Sequence, residues 1–377
     1  MLCLLTLGRR RACWTTVPAP VLALNAIENL QVVGVSSSDS PMSAIHKTSE
    51  STYIFLDIKD NTLDDIDKTS RVDIGLDFAS KRERYGLGAL ERLPLELVHR
   101  VLVRLDVRSL TVFRRVNKSA RLVTNSIPQL KRILVHAPAL IRGCLNIGSA
   151  QFVSCQDLYA TLSTAECDSC GDFGGYLYLV TCRRVCFLCF TERADYLPLP
   201  RKDVTRKFGL DSNCIARLPH MKSFPGCYSP RAIKCRRRQT LFDYSAAREA
   251  GIATHGTVES MENYASETKT KRLKSYRSNL SRRRTGGANL RPPSYEDPFD
   301  GHCSNPRRFM GIIRAPFFNS PTASPEWGFH CIACKSHHYR RPIDWRRKYT
   351  INGFQDHVRE CGEIREGKHV PSINEAA

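Results

Sequence analysis

Cys167 and Cys170 stand two residues apart, as do Cys186 and Cys189, and fifteen residues separate the two pairs. Thiolates at this spacing reach one ion from a single tight turn, and two such turns complete a tetrahedron of four sulfurs. The pattern points to structural zinc. Gly171, Gly174 and Gly175 follow the first pair, where a knuckle calls for positive φ so that backbone N–H groups can face sulfur. Cys155 and Cys182 lie nearby and rank behind as donors, because neither belongs to a two-residue pair. A second group consists of Cys331 and Cys334, then, after twenty-two residues, His357 and Cys361. His357 and Cys361 are four apart and so share one side of a helix, from which both can reach a metal. Phe354 and Ile364 are expected to pack around that site, and His337 and His338 compete as ligands.

Each quartet fills a tetrahedron, and the chain has no His-Glu-x-x-His or His-x-Glu signature to supply a general base beside an open metal position. No catalytic residue is assigned and no enzyme is expected. Cys182 precedes Arg183 and Arg184, cations that would depress a thiol pKa; no histidine partner can be identified for it. Other cations suggest phosphate contacts. Arg236, Arg237 and Arg238 follow Cys235, and Arg340, Arg341, Arg346, Arg347 and Lys348 are interleaved with Tyr339, Trp345 and Tyr349. Such residues can neutralise phosphates and stack on bases, although a solvated basic face accounts for the same charges and no ββα finger spacing accompanies them. Pro292-Pro293-Ser294-Tyr295 is a short, proline-stiffened segment of the kind a WW domain binds.

The whole chain has 377 residues and a formal charge of +20, which favours acidic or phosphate-bearing partners. An apolar fraction of 42% suffices for at least one core. The sixteen cysteines include several Cys-x-x-Cys pairs, a usage that suits zinc in a reducing compartment, cytoplasmic or nuclear. No run approaches the roughly 18 apolar residues that cross a bilayer, so no membrane role is expected. The first 27 residues hold Arg9, Arg10, Arg11 and Trp14 and no acid before Glu28. The apolar run Leu2 to Leu7 precedes those arginines, the reverse of a secretory signal, and a disordered extension is expected.

Elements must position these groups, and the pattern is mainly α with small mixed α+β, zinc-stapled modules. Residues 1–85 form the disordered extension, in which the alternating Tyr53-Ile54-Phe55-Leu56-Asp57-Ile58 can pair as a strand if an edge is offered. Residues 88–136 form a short helical bundle. Apolar positions Leu97, Val98, Val101, Leu102 and Leu105 recur at helical steps after Pro94, Asp106 can cap a second helix, Asn117 or Ser119 a third, and Pro128 opens a fourth. Four short helices have little interior, so this bundle needs a partner. A cysteine-rich module over 139–253, a basic mobile linker over 254–306 and a Cys-Cys-His-Cys module over 309–366 complete the organisation.

The stretch Leu93-Pro94-Leu95-Glu96-Leu97 through Val101-Leu102, Leu105-Asp106, Ser109-Leu110, Phe113-Arg114 and Val116-Asn117 resembles the F-box. Together with the cysteine-bearing segment that follows, it is similar to a group of fungal F-box proteins. The resemblance implies binding to a Skp-type adaptor, and through it a cullin scaffold, by Leu93, Pro94, Leu97, Leu110 and neighbouring aliphatics such as Val101 and Leu105. It implies a substrate receptor of an SCF-type ubiquitin ligase acting on an unknown protein. No WD or leucine-rich repeats accompany the box. The alternative is a zinc-dependent nucleic-acid-binding protein.

Overall fold

The computed structural model describes residues 51–54, 60–63, 86–229, 232–282, 305–319, 324–335 and 345–370. All lie in one unit, Lys47–Ala377. The first element is β1 (Thr52–Tyr53). It is followed at a distance by six helices whose starts are set by their caps. Pro94 precedes α1 (Leu95–Leu102), and Asp106 accepts the Ser109 N–H at 2.9 Å to start α2 (Val107–Phe113). Asn117 accepts from Ala120 at the head of α3 (Lys118–Ser126). Proline occupies the first turn of both α4 (Pro128–His136) and α5 (Pro138–Ile147), where its missing N–H has no helical partner to lose. Ser154 and Asp157 form a reciprocal capping box on α6 (Cys155–Leu162).

The expected four-helix bundle is present, but it is not self-contained. Val98, Leu110, Ile133 and Leu134 share one core with Leu140, Leu158, Leu177, Ile313 and Phe318. The chain therefore covers the inner side of its own bundle with later elements.

After α6 come β2 (Tyr176–Tyr178) and β3 (Arg183–Val185), which pair antiparallel, then α7 (Phe187–Glu192). A second cluster is built from β4 (Leu199–Pro200), α8 (Arg201–Phe208), α9 (Ser212–Arg217), β5 (His220–Lys222), β8 (Thr240–Phe242) and α10 (Tyr244–His255), while the intervening hairpin of β6 (Gly226–Tyr228) and β7 (Ile233–Cys235) packs on the first core through Tyr228 and Cys235. The sheet of the second cluster runs β4-β8-β5, and Val204, Phe208, Phe242 and Ala247 form its interior. The stretch expected to be a mobile linker holds α11 (Val258–Arg282), which buries Met261 against this cluster and leaves most of its later side chains exposed.

The C-terminal part adds β9 (Ile312–Arg314), β10 (Phe317–Phe318), β11 (Pro325–Glu326), β12 (His330–Cys331), α12 (Ile332–Lys335), α13 (Ile351–Cys361), β13 (Glu363–Arg365) and β14 (Lys368–Val370). It is not a separate module. β9 pairs with β2, giving the order β3-β2-β9 with Leu177 opposite both Arg184 and Ile313. Arg184 fastens the same junction from inside: its buried guanidinium donates to the carbonyls of Thr161, Gly174 and Pro316. Burial pulls its pKa down to about 10.

Two pieces of the expected N-terminal extension belong to this body. β1 pairs with β12 through Thr52 and Tyr53, the latter being the first residue of the alternating segment, whose Phe55 to Ile58 lie outside the described residues, and Leu63 is 0% exposed. Among the described residues no helix is long and apolar enough to cross a membrane. Residues 1–50, His337, His338, Tyr339, Arg340, Arg341 and the Pro292–Tyr295 motif lie outside the described residues.

Candidate docking face and metal centres

Helix α1 has two faces. Val98 and Leu102 point into the core, while Leu97 (42% exposed) and Val101 (52%) lie outward one turn apart, next to exposed Leu93, Pro94 and Leu95. Of the residues expected to meet a partner, Leu93, Pro94, Leu97 and Val101 are at the surface. Leu105 is half-buried against the core, and Leu110 is 3% exposed, so neither offers a free side chain. On α2 the geometry explains why. Val107 and Leu110 face inward at a spacing of three, which turns Val112 outward, and exposed Val116 follows one turn later. Val112, Phe113 and Val116 line a shallow groove with Arg108, Ser109 and Gln151. The outward turn of these valines was not visible in the aliphatic pattern.

The first cysteine quartet assembles as its spacing implies: one donor atom from each of Cys167, Cys170, Cys186 and Cys189 lies within 4.8 Å of every other. The Sγ atoms of Cys170 and Cys186 are 3.7 Å apart. Four sulfurs at ~2.3 Å around a tetrahedral ion would be ~3.8 Å apart, so the pocket fits such an ion. Two turns build it. In the first, the Gly171 N–H donates to the Cys167 carbonyl at 3.0 Å with Gly171 at φ +80°. In the second, Cys186 caps α7 and its sulfur accepts the Cys189 N–H at 3.4 Å. Hydrogen bonds from Cys186 and Cys189 hold the Cys167 thiol well below its ordinary range, and donating to Cys167 pushes both donors up. A divalent cation bound here would replace those shared protons with four sulfur bonds.

Gly174 and Gly175 are not at positive φ. Their lack of a side chain serves close approach instead: a Cβ on Gly174 would lie 2.4 Å from Cγ of Arg184, and one on Gly175 3.0 Å from Cδ of Lys348. Cys155 and Cys182 stand outside the quartet. Despite the two arginines that follow Cys182, burial pushes its thiol up to about 11, against the activation expected from those cations.

The second cluster differs from expectation at one corner. The four donors brought together are Cys331, Cys334, His357 and His369. Sulfur to imidazole Nε2 distances are 3.4 Å for Cys331–His369, 3.5 Å for Cys334–His369 and 3.6 Å for Cys334–His357. A tetrahedral ion bound at ~2.3 Å to sulfur and ~2.0 Å to nitrogen sets that separation near ~3.6 Å. Cys361 instead sits 3.5 Å from Nδ1 of His357, the ring nitrogen that faces away from the cysteine pair. Sharing a helix face with His357 brought Cys361 to the wrong side of the imidazole.

His369 arrives by a hairpin. Glu366 and Gly367 both take positive φ, a two-residue turn that reverses β13 into β14 and places His369 opposite Ile364. Its Nδ1 lies 2.9 Å from the Gly362 carbonyl, and Tyr349 Oη lies 3.2 Å from Nδ1 of His357. A carbonyl on Nδ1 fixes the tautomer that leaves Nε2 free as a donor, an arrangement characteristic of metal-binding histidines. Phe354 and Ile364 pack around the cluster as expected. The available signal was the Glu-Gly turn, but it carries no metal signature of its own.

Three cations of the basic segment beside this cluster make internal contacts. Arg347 makes a two-pronged ion pair with Asp172 at 3.0 Å, linking it to the loop of the first quartet. Arg346 donates to buried Asp60, and Lys348 Nζ donates to the Trp327 carbonyl at 2.8 Å. Trp345 and Tyr349 pack inward with them. The charged ends of Arg346, Arg347 and Lys348 are thus engaged within the fold. Arg236, Arg237 and Arg238 remain exposed.

Residues 90–131 match the F-box domain family. No curated protein and no solved structure matches the chain.

Proposed function

We propose that the chain is an F-box substrate receptor of an SCF-type cullin ubiquitin ligase, docking on a Skp-type adaptor through Leu93, Pro94, Leu97 and Val101, with Val112 and Val116 completing the face. The observation that supports this reading most directly is the outward placement of Leu97 and Val101 on a helix whose opposite side is anchored in the core, inside the segment that matches the F-box. Covering each such aliphatic with a partner contributes on the order of 1 kcal/mol, enough in sum to form a stable but exchangeable complex. In this reading the body downstream presents the target. Structural zinc holds both Cys/His clusters, with Cys167, Cys170, Cys186 and Cys189 at one, and Cys331, Cys334, His357 and His369 at the other. The metal stabilises the fold and takes no part in a reaction.

The test is co-purification with a Skp-type adaptor at low and high salt, using wild type and the double variant Leu97→Asp/Val101→Asp. Capture by the wild type should persist at high salt, since apolar contacts are not screened, and the double variant should lose it while keeping its thermal midpoint and metal content. Equal capture by both forms overturns the docking assignment. The nucleic-acid alternative loses Arg346, Arg347 and Lys348 to internal contacts.

A further inference from the structure

Two short pieces from before the helical bundle, residues 52–53 and 60–63, lie on the body as parts of a bound peptide would. β1 adds antiparallel to β12, with Thr52 opposite Cys331 and Tyr53 opposite His330. The Tyr53 ring stacks on His330 at 5.2 Å, and the Lys335 ammonium lies 5.1 Å from its centroid. Seven residues later Asp60 is buried, and its carboxylate accepts from Arg346 and from the Tyr176 hydroxyl. Leu63 then enters the core where Gly143 leaves room: a Cβ on Gly143 would come within 3.3 Å of the Leu63 side chain.

The receiving groove is built entirely from later parts of the chain. The Arg346 guanidinium is held 4.0 Å from the Phe187 ring and 4.4 Å from the Trp345 ring, so its direction is set before any carboxylate arrives. Lys348 is anchored on the Trp327 carbonyl, and Arg314 adds charge to the same surroundings. Burial pulls Lys348 down to about 8, with the Asp60 charge acting in the opposite sense. Cations gathered in a desolvated place are costly without a counter-charge, so the groove selects for a carboxylate.

We propose that this groove is a receptor for a peptide that carries a carboxylate three residues before an aliphatic side chain, and that Thr52, Tyr53, Asp60 and Leu63 occupy it in cis as an internal pseudo-ligand. Strand addition supplies sequence-tolerant hydrogen bonding, and the Arg346/Tyr176 and Gly143 pockets supply selectivity. Tethering gives the internal segment an effective concentration of roughly millimolar order. An external segment therefore competes only when it binds more tightly or when the internal one is released. Identifying that external segment with a ubiquitination target rests on the F-box reading; the binding itself does not.

The experiment uses the full chain with a specific protease site inserted between Ser70 and Arg71, so that cutting frees the internal segment without altering any side chain in the groove. A fluorescent peptide of residues 49–66 is titrated into cut and uncut protein, alongside the same peptide with Asp60→Asn. Cut protein should exchange its segment for the peptide and bind it at least about tenfold more tightly than uncut protein, and the Asn peptide should lose about tenfold. Failure of millimolar peptide to displace the cut segment, followed by native mass spectrometry, would make Thr52, Tyr53, Asp60 and Leu63 integral parts of the fold and overturn the proposal. Equal binding of the Asp and Asn peptides would overturn it as well. Adaptor capture is not read here, so a negative result leaves the docking assignment standing.

Discussion

Cys361 and His369 show how narrow the margin is between a ligand and its neighbour. Both are within reach of His357, but Cys361 meets Nδ1, whereas His369 presents its own Nε2 to Cys331 and Cys334. Replacing His369 by Ala should reduce bound zinc from about two ions per chain to about one, and Cys361→Ser should leave the count at two. Metal analysis of the purified variants decides this; loss of an ion from the serine variant alone would restore Cys361 as the ligand. The cysteine pairs were legible because a two-residue spacing closes its own turn and needs no tertiary information. The fourth donor of the second cluster was not, because it depends on how a hairpin folds back beyond α13.

At the scale of elements, the short helices α1 and α2 each carry aliphatic residues on two faces, and only the packing distinguishes them. Leu110→Ala should cost about 2–5 kcal/mol of stability, because it opens a cavity between α2 and its neighbours. Val112→Ala, two residues later on the same helix, should stay within about 0.5 kcal/mol and weaken adaptor capture instead. Denaturant unfolding of the two variants, set beside their capture, separates the inner face from the outer; a large loss of stability from the valine change would contradict the assignment. The caps at Asp106 and Asn117 and the proline at 128 could be read directly, since each acts within a turn of its own position. The inward turn of Leu110 could not. Five aliphatics within ten residues satisfy more than one helical face, and the covering elements come from much later in the chain. Charge misled in a similar way: α11 reads as a mobile basic linker, but Met261 ties its first turns to the cluster around Phe208.

Across the whole molecule the two metal clusters rest on very different foundations. The first sits on a core that runs from Leu63 to Phe318, while the second has Cys331, Ala333, Cys334 and Phe354 as its buried apolar centre. A centre that small does not hold a fold without a staple. Treatment with a strong chelator should therefore strip amide-exchange protection from α13, β13 and β14 first, and leave α4, α5 and α6 protected. Hydrogen-exchange mass spectrometry resolves these segments, and simultaneous loss in all of them would show that the two parts stand or fall as one.

The pairing of β9 with β2 also imposes an order on synthesis. About 130 residues separate the two strands in the chain, and at ribosomal rates of ~5–20 residues per second one free border of β2 waits on the order of ten seconds for its mate. During that interval Tyr176, Leu177 and Tyr178 present bare backbone amides and carbonyls beside an aromatic surface, the kind of template on which nascent chains cross-pair. Cotranslational chaperone contact is thus expected to concentrate on this stretch and to end when Ile312 to Arg314 emerge.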